Sequence, residues 1–81
     1  MKIKLLLFAH LKEIVGTSEL HLEFDGECTG NDVMAKLESL HPEVAPQKKH
    51  LKMSVNGTYT DLSTAIPPDS EVAVFPPVSG G

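Results

Sequence analysis

The chain has no tryptophan, one tyrosine, three phenylalanines and one cysteine. Cys28, alone, cannot close an intramolecular disulfide, which points to a reducing compartment. As a small filler before a helix it needs no reactivity. The four histidines, His10, His21, His41 and His50, have no neighbours at ligand spacing. Zinc needs three or four nitrogen or sulfur ligands, so no metal site is expected. Basic residues are scarce as well: seven Lys and Arg stand against eleven Asp and Glu, a net charge of −4. That balance argues against non-specific nucleic-acid binding and gives no attraction to anionic membranes. Long apolar runs are missing. Leu5 to Ala9 briefly resembles a signal peptide, but it is too short and runs straight into His10-Leu11-Lys12-Glu13. Nothing is long enough to span a bilayer, and a cytoplasmic location is expected. There is no glycine-rich phosphate loop, no nucleophile elbow and no obvious acid–base pair. The chain is therefore expected to bind no cofactor and to be no enzyme on its own.

What is present fits one small domain of 81 residues with ordinary composition, 41% hydrophobic and 22% charged. Residues 2–8 alternate, with Ile3, Leu5 and Leu7 on one side and Lys2, Lys4, Leu6 and Phe8 on the other, which predicts a strand. Leu11, Ile14 and Val15 fit a short helix stopped by Gly16. Glu19 to Phe24 alternates again, with Leu20, Leu22 and Phe24 inward. Thr29 and Asp32 resemble a capping box opening a helix through Val33, Met34, Leu37 and Leu40, ended near His41 by Pro42. Pro46 to His50 reads as a polar loop. Met53 and Val55 mark a short strand, Asn56-Gly57 a hairpin turn, and Thr58-Tyr59-Thr60 the return. Pro67-Pro68-Asp69 is a turn before a last strand, Ser70 to Phe75, with Val72 and Val74 inward and Glu71, Ala73 and Phe75 outward. The order predicts an α+β fold, a mixed sheet with its main helix on one face. First and last strands could lie parallel at the centre, and the β-grasp (ubiquitin-like) arrangement is one solution with this order.

The C-terminal segment carries the functional signal. Val72 to Gly81 contains no charged side chain. Pro76-Pro77 stops sheet pairing and stiffens an extended exit, and Val78-Ser79-Gly80-Gly81 tapers to nothing. Four extended residues reach roughly 13–14 Å. The division expected is a domain over 1–75 and an extended tail over 76–81. Such a thread could enter a narrow channel in a second protein and deliver the carboxylate of Gly81 to chemistry there, whereas the plain alternative is a frayed end. If the first and last strands are parallel neighbours, Leu6, Phe8 and Phe75 cluster on the outward face beside the tail. They then form a docking surface, or are covered by the short helix or a loop.

The stretch Glu71-Val72-Ala73-Val74-Phe75-Pro76-Pro77-Val78-Ser79-Gly80-Gly81 resembles the small-subunit family of molybdopterin synthase, and Phe8-Ala9, Glu13, Gly16 and Val55-Asn56 also match it. Lys12 stands where that family commonly has arginine, and Pro68-Asp69-Ser70 replaces a turn that usually contains glycine. The resemblance implies a β-grasp fold and a sulfur-carrier mechanism. An ATP-consuming activating enzyme would adenylate the Gly81 carboxylate, and a sulfur donor would convert it to a thiocarboxylate. The tail, Pro76 to Gly80, would insert into the large synthase subunit, in a heterotetramer of two small and two large subunits. There the sulfur would attack cyclic pyranopterin monophosphate and build the molybdopterin dithiolene. Three rivals stand beside this: a carrier for another pathway (thiamine-type), a ubiquitin-like modifier joined to lysines through Gly81, and a binding module that uses only its sheet face.

Overall fold

The computed structural model describes residues 1–75, apart from the side chains of residues 47–50. The elements run β1 (Lys2–Leu7), α1 (Ala9–Val15), β2 (Glu19–Glu23), β3 (Cys28–Thr29), α2 (Gly30–Leu40), a 3-10 helix (Pro42–His50), β4 (Lys52–Val55), β5 (Thr58–Tyr59), β6 (Ala65–Ile66) and β7 (Glu71–Phe75). Five strands form one mixed sheet in the order β2-β1-β7-β4-β5, and β3 pairs with β6 in a separate two-stranded ribbon.

β1 and β7 are parallel neighbours at the centre, in register from Lys4↔Glu71 to Leu7↔Val74. β2 flanks β1 and β4 flanks β7, both antiparallel. The period-2 pattern then sorts the side chains: Ile3, Leu5, Leu7, Val72, Val74, Met53 and Val55 are buried. Val33, Met34 and Leu37 of α2 join the same apolar cluster. Each such side chain, fully buried, contributes about 1.5–3 kcal/mol. Leu20 and Phe24 are only half-buried, because β2 is an edge strand with less to pack against.

Local chemistry fixes the ends. The capping box at α2 is complete: the Asp32 N–H donates to Thr29 Oγ1 at 3.4 Å, and the Thr29 N–H donates to Asp32 Oδ2 at 2.8 Å. α2 stops at Leu40, with His41 as its cap. Gly16 closes α1 at φ 88, its N–H donating to the Lys12 carbonyl at 2.9 Å. The expected loop Pro46 to His50 is instead the second half of the 3-10 helix, which buries Val44. Asp69, in the turn that lacks glycine, takes φ 58, a left-handed conformation that Asp tolerates better than most residues. Its N–H donates to the Lys2 carbonyl at 3.1 Å, tying that turn to the start of β1.

Candidate docking face and tail root

The outward side of the sheet is divided. At the start of β1 it is charged: Lys4 lies 3.5 Å from Glu19 and 3.9 Å from Glu71, and Lys2 lies 3.8 Å from Glu23. His21 Nε2 meets Glu19 Oε2 at 2.7 Å. The His21 hydrogen bond, more than the Lys4 charge, holds the Glu19 carboxyl below its ordinary value of 4.5. At the other end of β1 and β7 the same face is apolar. Parallel register places Leu6 beside Ala73, while Phe8 follows the last residue of β1 and caps α1.

Phe8 is 47% exposed and Tyr59 75%. Tyr59 sits opposite Ser54 across the β4–β5 hairpin, so it shares the outward side with Phe75, and their ring centroids are 5.6 Å apart at 57°. A tilted pair at this spacing is a favourable aromatic geometry. Two shallow hollows flank the rings. One, of about 380 Å³, is lined by Phe8, Ser54, Gly57, Tyr59, Ala73 and Phe75. The other, of about 660 Å³, is lined by Leu51, Lys52, Met53, Tyr59, Thr60, Asp61, Leu62 and Phe75. Of the three residues expected to cluster, Phe8 and Phe75 share a hollow, while Leu6 is half-buried and lines neither. Tyr59 is the member that sequence reasoning missed. The signal was available: parity across a two-residue Asn-Gly turn puts Tyr59 on the side of Ser54.

Phe75 is the last residue of β7, so the chain leaves the central strand beside this apolar end. Pro76, Pro77, Val78, Ser79, Gly80 and Gly81 lie outside the described residues.

The remaining candidate chemistry is dispersed. Cys28 is 2% exposed in β3, and burial, then the Asp32 charge, pushes its thiol up from the ordinary value. It is a packed side chain and not a thiolate at neutral pH. His10 pairs with Glu13 at 3.6 Å and His21 with Glu19. Among the described residues, no group of three or more His, Cys, Asp or Glu could hold a metal ion. Among them, too, no helix is long and apolar enough to cross a membrane.

A mixed sheet with parallel first and last strands at its centre, and α2 packed into its core, defines a β-grasp domain of the ubiquitin-like class. The ThiS family profile matches residues 5–81, and the chain belongs to that family. It is 31% identical over 83 residues to the molybdopterin synthase sulfur carrier subunit of Dictyostelium discoideum, covering 99% of this chain and 96% of that one. It is 32% identical over 83 residues to small archaeal modifier protein 1 of Haloferax volcanii, covering 93% and 95%. The crystal structure of SAMP1 from Haloferax volcanii superposes with a TM-score of 0.87 at 30% identity, covering all of both chains. A chain in the complex of subunits 1 and 2 of molybdopterin-converting factor from Helicobacter pylori shares the fold, with a TM-score of 0.73 at 17% identity and full coverage of both.

Proposed function

We propose that this chain is a sulfur carrier whose Gly81 carboxylate becomes a thiocarboxylate, and that it serves as the small subunit of molybdopterin synthase. The observation that carries the reading is the uncharged Pro76-Pro77-Val78-Ser79-Gly80-Gly81 end, continuing from a central strand whose last residue, the half-buried Phe75, lies beside the exposed rings of Phe8 and Tyr59. Family membership supports a carrier, and the Dictyostelium relative's name supports this pathway.

The chemistry follows from what the carboxylate lacks. It is a poor acyl donor and holds no sulfur. An activating enzyme joins it to AMP at the expense of ATP, with pyrophosphate released, which supplies a leaving group. A sulfur donor then displaces AMP. The resulting anionic sulfur is nucleophilic at neutral pH, so the carrier needs no general base. Orientation and charge stabilisation come from the large subunit's pocket, where the sulfur attacks cyclic pyranopterin monophosphate. Tail residues 76–80 act as the thread. Phe8, Tyr59 and Phe75, with Leu6 beside them, act as the docking face that holds the carrier while the thread is inside. Two carriers on a dimer of large subunits complete the assembly. The carrier holds no cofactor and works in the cytoplasm.

A second reading is favoured by the Haloferax relative, whose name is that of a modifier. In that reading the activated Gly81 is joined to lysines of other proteins. One experiment separates them. The chain is charged by its activating enzyme and presented to the large subunit, beside variants extended by one residue after Gly81 or lacking Gly80-Gly81. Molybdopterin forms with the native end and not with either variant. Product formed equally by the truncated chain would overturn the proposal, and lysine-linked conjugates that vanish on deleting Gly81 would replace it with the modifier reading.

A further inference from the structure

The Asn56-Gly57 turn carries a chemical hazard. Asparagine is a thermolabile residue, and a following glycine leaves the next amide nitrogen unshielded. Asn56 takes φ 51 and Gly57 φ 87, as a two-residue hairpin requires. The Asn56 carboxamide, however, is held at both ends. Its Oδ1 accepts the Glu71 N–H at 2.9 Å, and its Nδ2 donates to Ser70 Oγ at 3.3 Å. Ser70 is 2% exposed, and its hydroxyl donates to the Pro67 carbonyl at 2.6 Å. The Asn56 backbone N–H donates to the Glu71 carbonyl at 2.8 Å. One turn residue thus makes three bonds to the entry of β7, extending the β4–β7 ladder past Val55↔Val72.

We infer that Asn56 is a deamidation site kept closed by this clasp, and that its conversion detaches the β4–β5 hairpin from the start of β7. In the reaction the Gly57 amide nitrogen attacks Cγ of Asn56. The N–Cγ bond forms, the Cγ–Nδ2 bond breaks, and the amide nitrogen leaves as ammonia with the proton lost from Gly57. Water then opens the cyclic imide at either carbonyl, leaving aspartate or isoaspartate. Cγ can be reached only when the carboxamide lets go of Glu71 and Ser70, so both hydrogen bonds oppose the first step. Afterwards the clasp cannot re-form in full: an aspartate oxygen can still accept the Glu71 N–H, but the Nδ2 bond to Ser70 is lost. A carboxylate has no N–H for Ser70 Oγ, and Ser70 has already committed its only hydrogen to Pro67. Either that bond or the one to residue 56 is given up. Isoaspartate also adds a methylene to the main chain of a two-residue turn, and Tyr59, three residues on, loses its fixed place against Phe75. That loss bears on function through the docking role proposed above for the aromatic face.

The full chain is aged at mildly alkaline pH, native and in concentrated urea. Conversion is followed by a mass gain of about 1 Da (atomic-mass arithmetic) and by peptide mapping. The native chain is expected to convert many-fold more slowly than the unfolded one, and folded Ser70→Ala several-fold faster than native. Equal rates in urea and in buffer, or a folded Ser70→Ala chain no faster than native, would overturn the clasp. Should Ser70→Ala unfold, exchange of the Glu71 amide hydrogen decides: protection like that of the β7 core amides supports the clasp, and rapid exchange refutes it. Detachment is read on Asn56→Asp, which should unfold at a lower midpoint and show Tyr59 ring signals moved toward those of free tyrosine. Unchanged midpoint and ring signals would overturn that half. None of these readouts involves sulfur, so they stand or fall apart from the Gly81 experiment.

Discussion

Cys28 and Glu19 show how placement decides what a side chain can do. The Cys28 thiol is buried and beside Asp32, both of which disfavour the thiolate. Alkylation of the native chain should therefore be slow and become fast on unfolding; rapid labelling in buffer would show an accessible thiolate instead. Glu19 is half-exposed and gains a hydrogen bond from His21, which depresses its pKa below 4.5. A depressed carboxylate contributes stability that is present above 4.5 and is lost as pH falls through the folded value. Glu19→Gln should flatten the acid limb of the melting curve by lowering stability slightly at neutral pH while leaving it unchanged well below that pH. An unchanged acid limb would mean the contact with His21 does not persist in solution. The turn at Asp69 has no glycine, yet the left-handed backbone is kept at φ 58 by a residue that tolerates it.

Among the elements, α2 is held by its first turn. Thr29→Ala removes the acceptor for the Asp32 N–H and should cost about 1 kcal/mol in urea unfolding. Gly30→Ala tests a different point. Ala normally improves a helix by about 1 kcal/mol over Gly. Here the added Cβ would lie 2.8 Å from Leu62 Cα and 2.9 Å from Met53 Sδ. The Met53 thioether can shift, but the Leu62 backbone is tied in place by the Asn31 N–H donating to its carbonyl at 2.8 Å. Crowding should win, with a net loss of about 1–3 kcal/mol; a stabilised variant would show that the 60–66 segment gives way. The strands with period-2 alternation and the capped helix were legible in the sequence, because their signals are local. The ribbon of Cys28–Thr29 with Ala65–Ile66 was not, since two-residue strands far apart leave no periodicity. Nor was the 3-10 helix, whose polar residues and internal Pro46 read as loop chemistry.

At the scale of the molecule, the outward sheet face is divided between a charged end and an apolar end, and the docking role proposed above rests on the second. Its charged end rests on exposed ion pairs, which contribute little and are screened by salt. Added salt should move the melting temperature by only a few degrees, and a large fall would assign those pairs a greater role. Its apolar end adds little to the core, since Phe75 and Tyr59 lie outside the core cluster. On the docking role proposed above, Phe75→Ala should weaken binding to the large subunit by about 2 kcal/mol or more while lowering the melting temperature slightly. A steep fall in melting temperature with unchanged affinity would place Phe75 in the core. Hydrophobic alternation marked Leu6, Phe8 and Phe75 as outward and, with parallel first and last strands, as neighbours. Phe8 and Phe75 do share a hollow, while Leu6 lines neither and Tyr59, arriving from the far side of the hairpin, was not expected.

The parallel pairing of β1 with β7 has a mechanical corollary. Any tug on the C-terminal end, such as the proposed withdrawal of a spent carrier from a partner's channel would apply, is delivered along β7. Against an N-terminal anchor on β1, the hydrogen bonds between the two strands are then loaded sideways and together, where an antiparallel hairpin pulled from its open end would give way one rung at a time. The last strand can thus transmit traction without the domain unravelling behind it.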